Sequence, residues 1–205
     1  MSSTAVEIPG YLAGTWTIDP VHSDVAFTVR HMMVSKVRGH FTRFQGELVL
    51  APDPLASTVS ATIDLASIDT NNPQRDDDLR SANFLKIQTH PTMTYRSTGI
   101  HHSEDGFDVD GELSLHGVTR QVTLALDVNG FARDPFGGTR AGFSATAEID
   151  RQDFGITTNI PMDGGGVVIG DKIQIFIEIE AVLAEPQPAT HGQLGLGPGP
   201  PPARA

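Results

Sequence analysis

The chain has 205 residues, a formal net charge of −11 at pH 7 and no cysteine. Without cysteine it can form no disulfide and no thiolate metal site, and it has no thiol nucleophile. Its acidic balance argues against general nucleic-acid binding, because a polyanion requires clustered Lys and Arg to displace its counterions. The length suits one domain that buries most of its apolar surface without metal or disulfide crosslinks.

The N-terminus shows no targeting signal. Residues 1–10 contain no basic residue and no apolar core of signal-peptide length, so we expect a cytoplasmic protein. No apolar run approaches the roughly 20 residues that a membrane-spanning helix needs. Composition divides the chain into a lead segment over 1–13, a domain over 14–183 and a tail over 184–205 that is rich in proline and glycine. The tail is expected to be disordered.

Most of the domain alternates apolar and polar residues with a period of two, which is typical of strands with one apolar face. Strands are predicted over 14–19, 24–33, 38–50, 57–66, 91–99, 106–116, 119–131, 140–150 and 171–183. Such a sheet must close or pair to hide its apolar face, so these strands predict an antiparallel barrel. In the third strand Phe41 and Phe44 interrupt the alternation, which predicts a bulge.

One helix is predicted, over 71–84, between the fourth and fifth strands. Asn72 can cap it, and Asp76 can pair with Arg80 four residues later. The acidic run that begins at Asp76 suits the positive start of a helix better than a metal site, since three consecutive residues do not converge on one ion. A helix inserted in this way often covers one end of a barrel. A second, shorter turn is predicted over 150–155.

Residues that could carry catalysis or bind a metal are dispersed along the chain. The histidines show no metal-ligand spacing. The adjacent His22, Ser23 and Asp24 point to alternating faces of an extended strand, so they cannot form a triad with one another. The glycines over 164–170 precede a strand and not a helix, unlike those of a phosphate-binding loop. The sequence therefore predicts no catalytic residue, no metal site and no cofactor.

The predicted interior is almost entirely apolar. A barrel of eight strands has a size at which side chains either fill the interior or leave room for one small ligand. From the residues alone, a filled barrel and a ligand carrier are equally good interpretations. The residues predicted to face inward and to contact such a ligand are Phe27, Val29, Phe41, Phe44, Ile63, Met93, Tyr95, Leu113, Leu115, Leu124, Leu126, Phe143, Ile175 and Ile177.

Several short motifs, each weak alone but specific together, resemble the YceI-like family. They occur in the family's order over roughly residues 14–183 and include Trp16-Thr17-Ile18-Asp19-Pro20, His22-Ser23, Ser67-Ile68-Asp69-Thr70, Asn83-Phe84-Leu85, His116-Gly117-Val118-Thr119 and Arg151-Gln152-Asp153-Phe154-Gly155. The resemblance implies an all-β, extended lipocalin-like, eight-stranded antiparallel barrel with one or two short helices. It implies a carrier that holds a long apolar lipid, typically a polyisoprenoid or an isoprenoid quinone, inside the barrel, and not a catalyst. It also adds His31 and Phe84 to the ligand-contacting residues.

A basic segment interrupts the acidic balance, because no acidic residue occurs between Asp24 and Glu47. We interpret part of it as a rim that touches an anionic membrane or a lipid head group. A solvated hairpin, balanced by acidic neighbours in space, is the alternative. The proposed rim residues are Arg30, Met32, Met33, Lys36, Arg38 and Arg43.

The expected partner is therefore an apolar isoprenoid lipid, with transient membrane contact and without nucleic acid; a homodimer is left open. Two other functions remain open at this point. One is an esterase or lipid-modifying enzyme that uses His22, Ser23 or His116 at the barrel mouth. The other is a filled structural barrel with a role in stress.

Overall fold

The computed structural model describes residues 8–159 and 168–184. The predicted tail after Ala184, residues 1–7 of the lead segment and the glycine run at 164–166 lie outside these residues. The described strands are β1 (Gly14–Ile18), β2 (Asp24–His31), β3 (Ser35–Phe41), β4 (Phe44–Leu50), β5 (Thr58–Asp64), β6 (Ile68–Asp69), β7 (Thr92–His102), β8 (Phe107–Leu115), β9 (Val118–Arg133), β10 (Thr139–Asp150) and β11 (Ile169–Leu183). Helix α1 spans Pro73–Arg80, and short 3₁₀ turns span Pro54–Ala56, Leu65–Ser67 and Arg151–Phe154.

Eight strands close into the predicted antiparallel barrel, in the order β1, β4, β5, β7, β8, β9, β10 and β11. β1 completes the ring by pairing with the end of β11, where Trp16 lies opposite Leu183. The first part of β11 pairs instead with β2, from Ile169 to Glu178. β1 and β2 therefore pair with different parts of the same side of β11. On the next wall, β4 pairs with β1 and β3 pairs with β2. This arrangement makes the barrel long.

The third predicted strand is two strands, and the bulge predicted at Phe41 and Phe44 is wrong. β3 pairs with β2 and β6, whereas β4 pairs with β1 and β5, so the chain has to turn where it changes partners. The turn is held by Ser67, whose carbonyl and hydroxyl accept from the amides of Thr42 and Arg43. Both phenylalanines remain in the interior after this turn.

Helix α1 confirms the predicted helix and its cap. The Asn72 side chain accepts from the backbone amide of Arg75 at 3.1 Å. The predicted pair between Asp76 and Arg80 is wrong, because Asp76 is buried and accepts from the amide and the hydroxyl of Thr70 at 3.0 and 2.5 Å. This buried carboxylate ties the helix to the end of β6. The predicted turn over 150–155 is also present.

The interior contains two apolar clusters. The Trp16 cluster, at the end that β1 closes, consists of Trp16, Ile18, Leu48, Leu50, Ala141, Phe143 and Ala181. The second cluster extends toward helix α1 and includes Phe41, Leu65, Leu115, Ile149 and Phe154. Phe44, Val59 and Leu126 contact both clusters and so mark the boundary between them. Among the described residues, no helix is long and apolar enough to cross a membrane.

Candidate functional site

A cavity of about 540 Å³ lies in the half of the barrel that β2, β3 and α1 complete. Val25, Phe27 and Val29 form its wall on β2, because alternate residues of a strand share one face. On β11 the wall is formed by Ile173 and Ile175. The volume falls within the range of about 300–1,000 Å³ that is usual for small-molecule sites.

Eight of the sixteen predicted contact residues line this cavity. They are Phe27, Val29, His31, Phe41, Phe84, Met93, Leu115 and Ile175. The predicted residues that do not line it are Phe44, Ile63, Tyr95, Leu113, Leu124, Leu126, Phe143 and Ile177. Most of this second set packs in the two apolar clusters. A period of two identifies the inner face of a strand. It does not show which part of the barrel interior is packed with side chains and which part is open.

Tyr95 illustrates why an inward side chain need not contact a ligand. Its ring lies against Gly111, where a β-carbon would come within 2.4 Å of the ring. Its hydroxyl donates to the carbonyl of Val109 at 2.8 Å. Burial raises the pKa of the Tyr95 phenol, which therefore remains a neutral donor within the core.

Sequence reasoning missed a part of the lining that comes from irregular segments. Leu65 and Ile68 belong to a 3₁₀ turn and the short β6, and Leu79 belongs to helix α1. No period of two sets the direction of these side chains, so alternation could not identify them as cavity residues. Val37 and Ile173, by contrast, continue the alternation of β3 and β11 and could have been found by extending it.

The mouth of the cavity is polar and is formed in part by the exposed Arg30, Asp78 and Asn83. Arg75, half-buried beside them, donates from Nε and Nη2 to the hydroxyl and carbonyl of Thr70, both at 2.7 Å. Within the described part of the chain, neither Arg30 nor Arg75 forms an ion pair. Two cations at the mouth therefore lack a carboxylate partner there.

Arg151 also borders the cavity, but its donors are used by the protein itself. The side chain is buried and donates to the carbonyls of Gly170, Ile156 and Thr158 at 3.1, 2.6 and 2.9 Å. It also pairs with Asp171 at 2.9 Å. Buried charges of this kind are stabilised by being paired and hydrogen-bonded. Arg151 therefore joins the segment after β10 to the start of β11.

Only some of the rim residues predicted from the basic segment lie close to one another. Met32 and Met33 lie at the exposed tip of the hairpin between β2 and β3, next to Val34, which is 84% exposed. Arg30 lies beside the mouth, with Lys36 opposite it in the hairpin; Arg38 lies farther along β3. Arg43 does not belong to this rim, because it follows the far end of β3 and pairs with Asp64 at 2.9 Å.

One group in the described residues has the spacing of metal ligands, namely Asp19, His22 and Glu180. The Nη1 atom of Arg140 lies 2.8 Å from Asp19 Oδ2 and also pairs with Glu180, so a guanidinium already stands among these oxygens. The hydrogen bond from Arg140 lowers the pKa of the Asp19 carboxyl well below its ordinary value. The group joins the outer faces of β10 and β11 to the end of β1, away from the cavity.

The residues of the proposed esterase do not meet. His22 and Ser23 lie in the bend between β1 and β2, where the Ser23 hydroxyl donates to the Glu180 carbonyl at 3.2 Å. His116 lies in the turn between β8 and β9 and its Nδ1 donates to the Phe154 carbonyl at 2.9 Å. Neither histidine has a serine hydroxyl within hydrogen-bond reach in the described part of the chain.

Comparison with known proteins identifies the fold. The YceI-like domain matches residues 16–181. This chain belongs to the YceI-like family. Protein YceI of Salmonella newport is 37% identical over 162 residues, which cover 78% of this YceI-like chain and 82% of that relative. The resemblance seen in the sequence motifs is thereby confirmed.

Solved structures share the barrel of this YceI-like protein. Burkholderia cenocepacia BcnA superposes with a TM-score of 0.67 at 21% identity, over 80% of this chain and 98% of BcnA. A polyisoprenoid binding domain from Saccharophagus degradans, implicated in plant cell wall breakdown, superposes with a TM-score of 0.63 at 16% identity, over 84% of this chain and all of that domain (100%). At these identities the likeness shows the fold alone.

Proposed function

We propose that this YceI-like protein binds one isoprenoid chain in the cavity and transports, stores or sequesters it. The observation that carries the proposal is an apolar cavity of about 540 Å³ with a polar mouth inside a closed barrel. Burial of apolar surface contributes roughly 25 cal/mol per Å², so a hydrocarbon chain gains most of its binding free energy from such a wall. The polyisoprenoid bound by the structurally similar Saccharophagus domain supports an isoprenoid as the ligand class.

The head group of this lipid lies at the mouth in our proposal. Arg30 and Arg75 supply positive charge there, and Thr70 holds the Arg75 guanidinium in place. A guanidinium fixed in this way suits a phosphate or another anionic head, because its planar set of donors can bind two oxygens at once. The neighbouring Asp78 is exposed and lowers this preference without removing it.

The hairpin tip supports a transient contact with a membrane. Met32, Met33 and Val34 are exposed there, and Arg30 and Lys36 flank them. Exposed apolar side chains beside cations are the pattern by which peripheral proteins contact anionic lipid. In our proposal the lipid leaves the membrane and enters the cavity at the end of the barrel that carries this hairpin tip.

The proposal is tested by filling the cavity from inside. In Ile173→Trp a large ring replaces a side chain of the cavity wall, whereas in Lys172→Trp the same ring points outward from the next position of β11. We expect Ile173→Trp to remain folded, since its ring enters existing space, and to bind tritiated geranylgeraniol at least tenfold more weakly than the wild type. Lys172→Trp should bind as the wild type does.

A filled barrel would behave in the opposite way. The wild type would bind no geranylgeraniol at all. The extra volume in Ile173→Trp would also lower the free energy of unfolding by about 1–3 kcal/mol, the usual cost of overpacking a core. Equilibrium gel filtration and urea unfolding of the three proteins distinguish the two outcomes.

A further inference from the structure

We infer that helix α1 is a lid that opens along the free edge of β3, so that the apolar chain enters the cavity sideways, between the helix and the strand. This inference rests on the proposed function and adds the route by which the ligand reaches the cavity. Its basis is the unequal attachment of α1 to its neighbours. Hydrogen bonds hold the helix to the segment before it, whereas none joins it to β3 among the described residues.

One edge of β3 is almost unpaired. Along its other edge β3 pairs with β2 over its whole length, from Ser35 to Phe41. On the free edge, within the described part of the chain, β6 pairs only with His40 and Phe41. No ladder of backbone hydrogen bonds therefore seals the wall of the barrel beside the stretch from Ser35 to Gly39.

Helix α1 lies at this interruption in the wall. Its residues Asp78 and Leu79 line the same cavity as Val37 of β3. Thr70, three residues before the helix, packs against β3, because its Cγ2 lies 2.8 Å from the place that a β-carbon of Gly39 would take. The opening between helix and strand therefore begins at Gly39 and runs toward the hairpin tip.

Polar bonds hold the side of α1 that faces away from this opening. The buried Asp76 accepts from the amide and the hydroxyl of Thr70. Arg80 donates from Nε to the Ala66 carbonyl at 3.0 Å and from Nη2 to the Ile68 carbonyl at 2.7 Å. All these partners lie in one short segment before the helix. That segment forms the hinge of the lid.

Little apolar surface holds α1 in its closed position. Of its eight residues, PQRDDDLR, only Pro73 and Leu79 are apolar. A helix in a protein owes most of its stability to the packing of an apolar face, and a segment with few buried apolar contacts opens easily. Leu85, five residues after the helix, is buried and anchors the chain that follows. Helix α1 can therefore tilt outward while the barrel on both sides of it stays intact.

The position of the opening suits the transfer of a long apolar chain from a membrane. Its outer end lies at the hairpin tip, where Met32, Met33 and Val34 are exposed. Each methylene that crosses water on the way loses favourable apolar contact, so a short path from the bilayer to the cavity speeds transfer. An opening along a strand also admits successive parts of the chain side by side, whereas a narrow mouth would have to pass the chain end-on.

The hinge is tested by Arg80→Met. Arg80 does not line the cavity, so its replacement loosens the helix without changing the surface that the lipid contacts. Because entry and release both pass through the open state, weakening the closed state raises both rates. The probe is geranylgeraniol with a dansyl group at its hydroxyl end, delivered from methyl-β-cyclodextrin and followed by stopped flow. We expect both rates to rise about tenfold, with Kd unchanged within about twofold.

Arg120→Met is the matched control for the loss of an arginine. Arg120 is exposed on β9 and donates to the neighbouring Thr119 carbonyl at 3.1 Å. It lies outside the cavity lining, and its replacement should change neither rate. Weaker binding by Arg80→Met at an unchanged rate of entry would show that Arg80 only supports the fold, and would overturn the lid.

A reversible crosslink tests the opening directly, since the chain contains no cysteine. Arg38→Cys on β3 and Gln74→Cys on α1 place two thiols at exposed positions outside the cavity lining. A flexible bismaleimide with a central disulfide joins them, and the joined protein is purified and verified by its mass. We expect it to take up the dansyl lipid about tenfold more slowly than the wild type, and reduction of the crosslinker to restore the rate.

The two ways in which this experiment can fail are distinct. Uptake at the wild-type rate by the joined protein would overturn the lid, because the lipid would then enter elsewhere. Absence of uptake by the wild type would overturn the proposed function instead.

Discussion

Arg75 is the residue whose surroundings bear most directly on the head group of the ligand. The carboxylate of Asp76 holds the hydroxyl of Thr70, and Thr70 in turn accepts from Nε of Arg75 at 2.7 Å. These bonds fix the guanidinium beside the mouth before any ligand arrives. Because it is already ordered, Arg75 loses little side-chain entropy on binding an anion.

Arg75→Gln should weaken the binding of an anionic head group selectively. A hydrogen bond to a charged group contributes about 1.5–3 kcal/mol, so we expect the affinity for geranylgeranyl phosphate to fall by about tenfold to a hundredfold. The affinity for geranylgeraniol, which lacks the charge, should remain within about twofold. Isothermal titration of both lipids in the same detergent measures the difference.

Arg43→Gln is the matched control for the loss of one positive charge. Arg43 lies beyond the far end of β3 and pairs with Asp64, so its removal should change neither affinity. Equal losses for the phosphate and the alcohol in Arg75→Gln would show that the side chain only supports the fold at the mouth. In that case the head group is bound elsewhere.

At the scale of elements, the hairpin between β2 and β3 combines two functions. Its inner face, with Val29 and Val37, forms cavity wall, while its tip exposes Met32 to Val34. One short element therefore touches both the bound chain and the surroundings of the barrel. Such a position suits an entry point for lipid.

Val34→Asp should slow lipid pickup from anionic vesicles without changing the equilibrium affinity. Val34 is 84% exposed, so the charge costs little stability, but it opposes contact with a negatively charged surface. Val21→Asp is the control, because Val21 is 82% exposed in the bend between β1 and β2, away from the cavity lining. We expect the rate of geranylgeraniol transfer, measured by stopped flow, to fall several-fold only in Val34→Asp. Equal rates in the two variants would exclude the tip as the contact site.

The strands and helix α1 could be predicted because their signals are local. Alternation sets the inner face of a strand, and Asn72 caps α1 by reaching only three residues along the chain. The separation of β3 from β4 could not be predicted, since it depends on a change of partner strands that are distant in sequence. The burial of Asp76 could not be read from the helix pattern, because its partner Thr70 lies six residues earlier, outside the helix, and takes the place of Arg80.

The depth of the cavity within the barrel could not be predicted from the alternation of apolar and polar residues along the strands. Phe143 and Ile175 both face inward with the same period, yet one packs in the Trp16 cluster and the other lines the cavity. What separates them is the closure of β1 on β11, a pairing between the two ends of the domain. This pairing makes one half of the barrel a solid core and leaves the other half open for a ligand.

Native mass spectrometry of the protein purified from its own host, followed by organic extraction, tests most directly whether the barrel carries a lipid. We expect one isoprenoid lipid for each chain, held in the apolar cavity. The lipid should be absent from Ile173→Trp and present in Lys172→Trp. A wild-type protein that carries no lipid, and that also takes up no added geranylgeraniol, would contradict a carrier function.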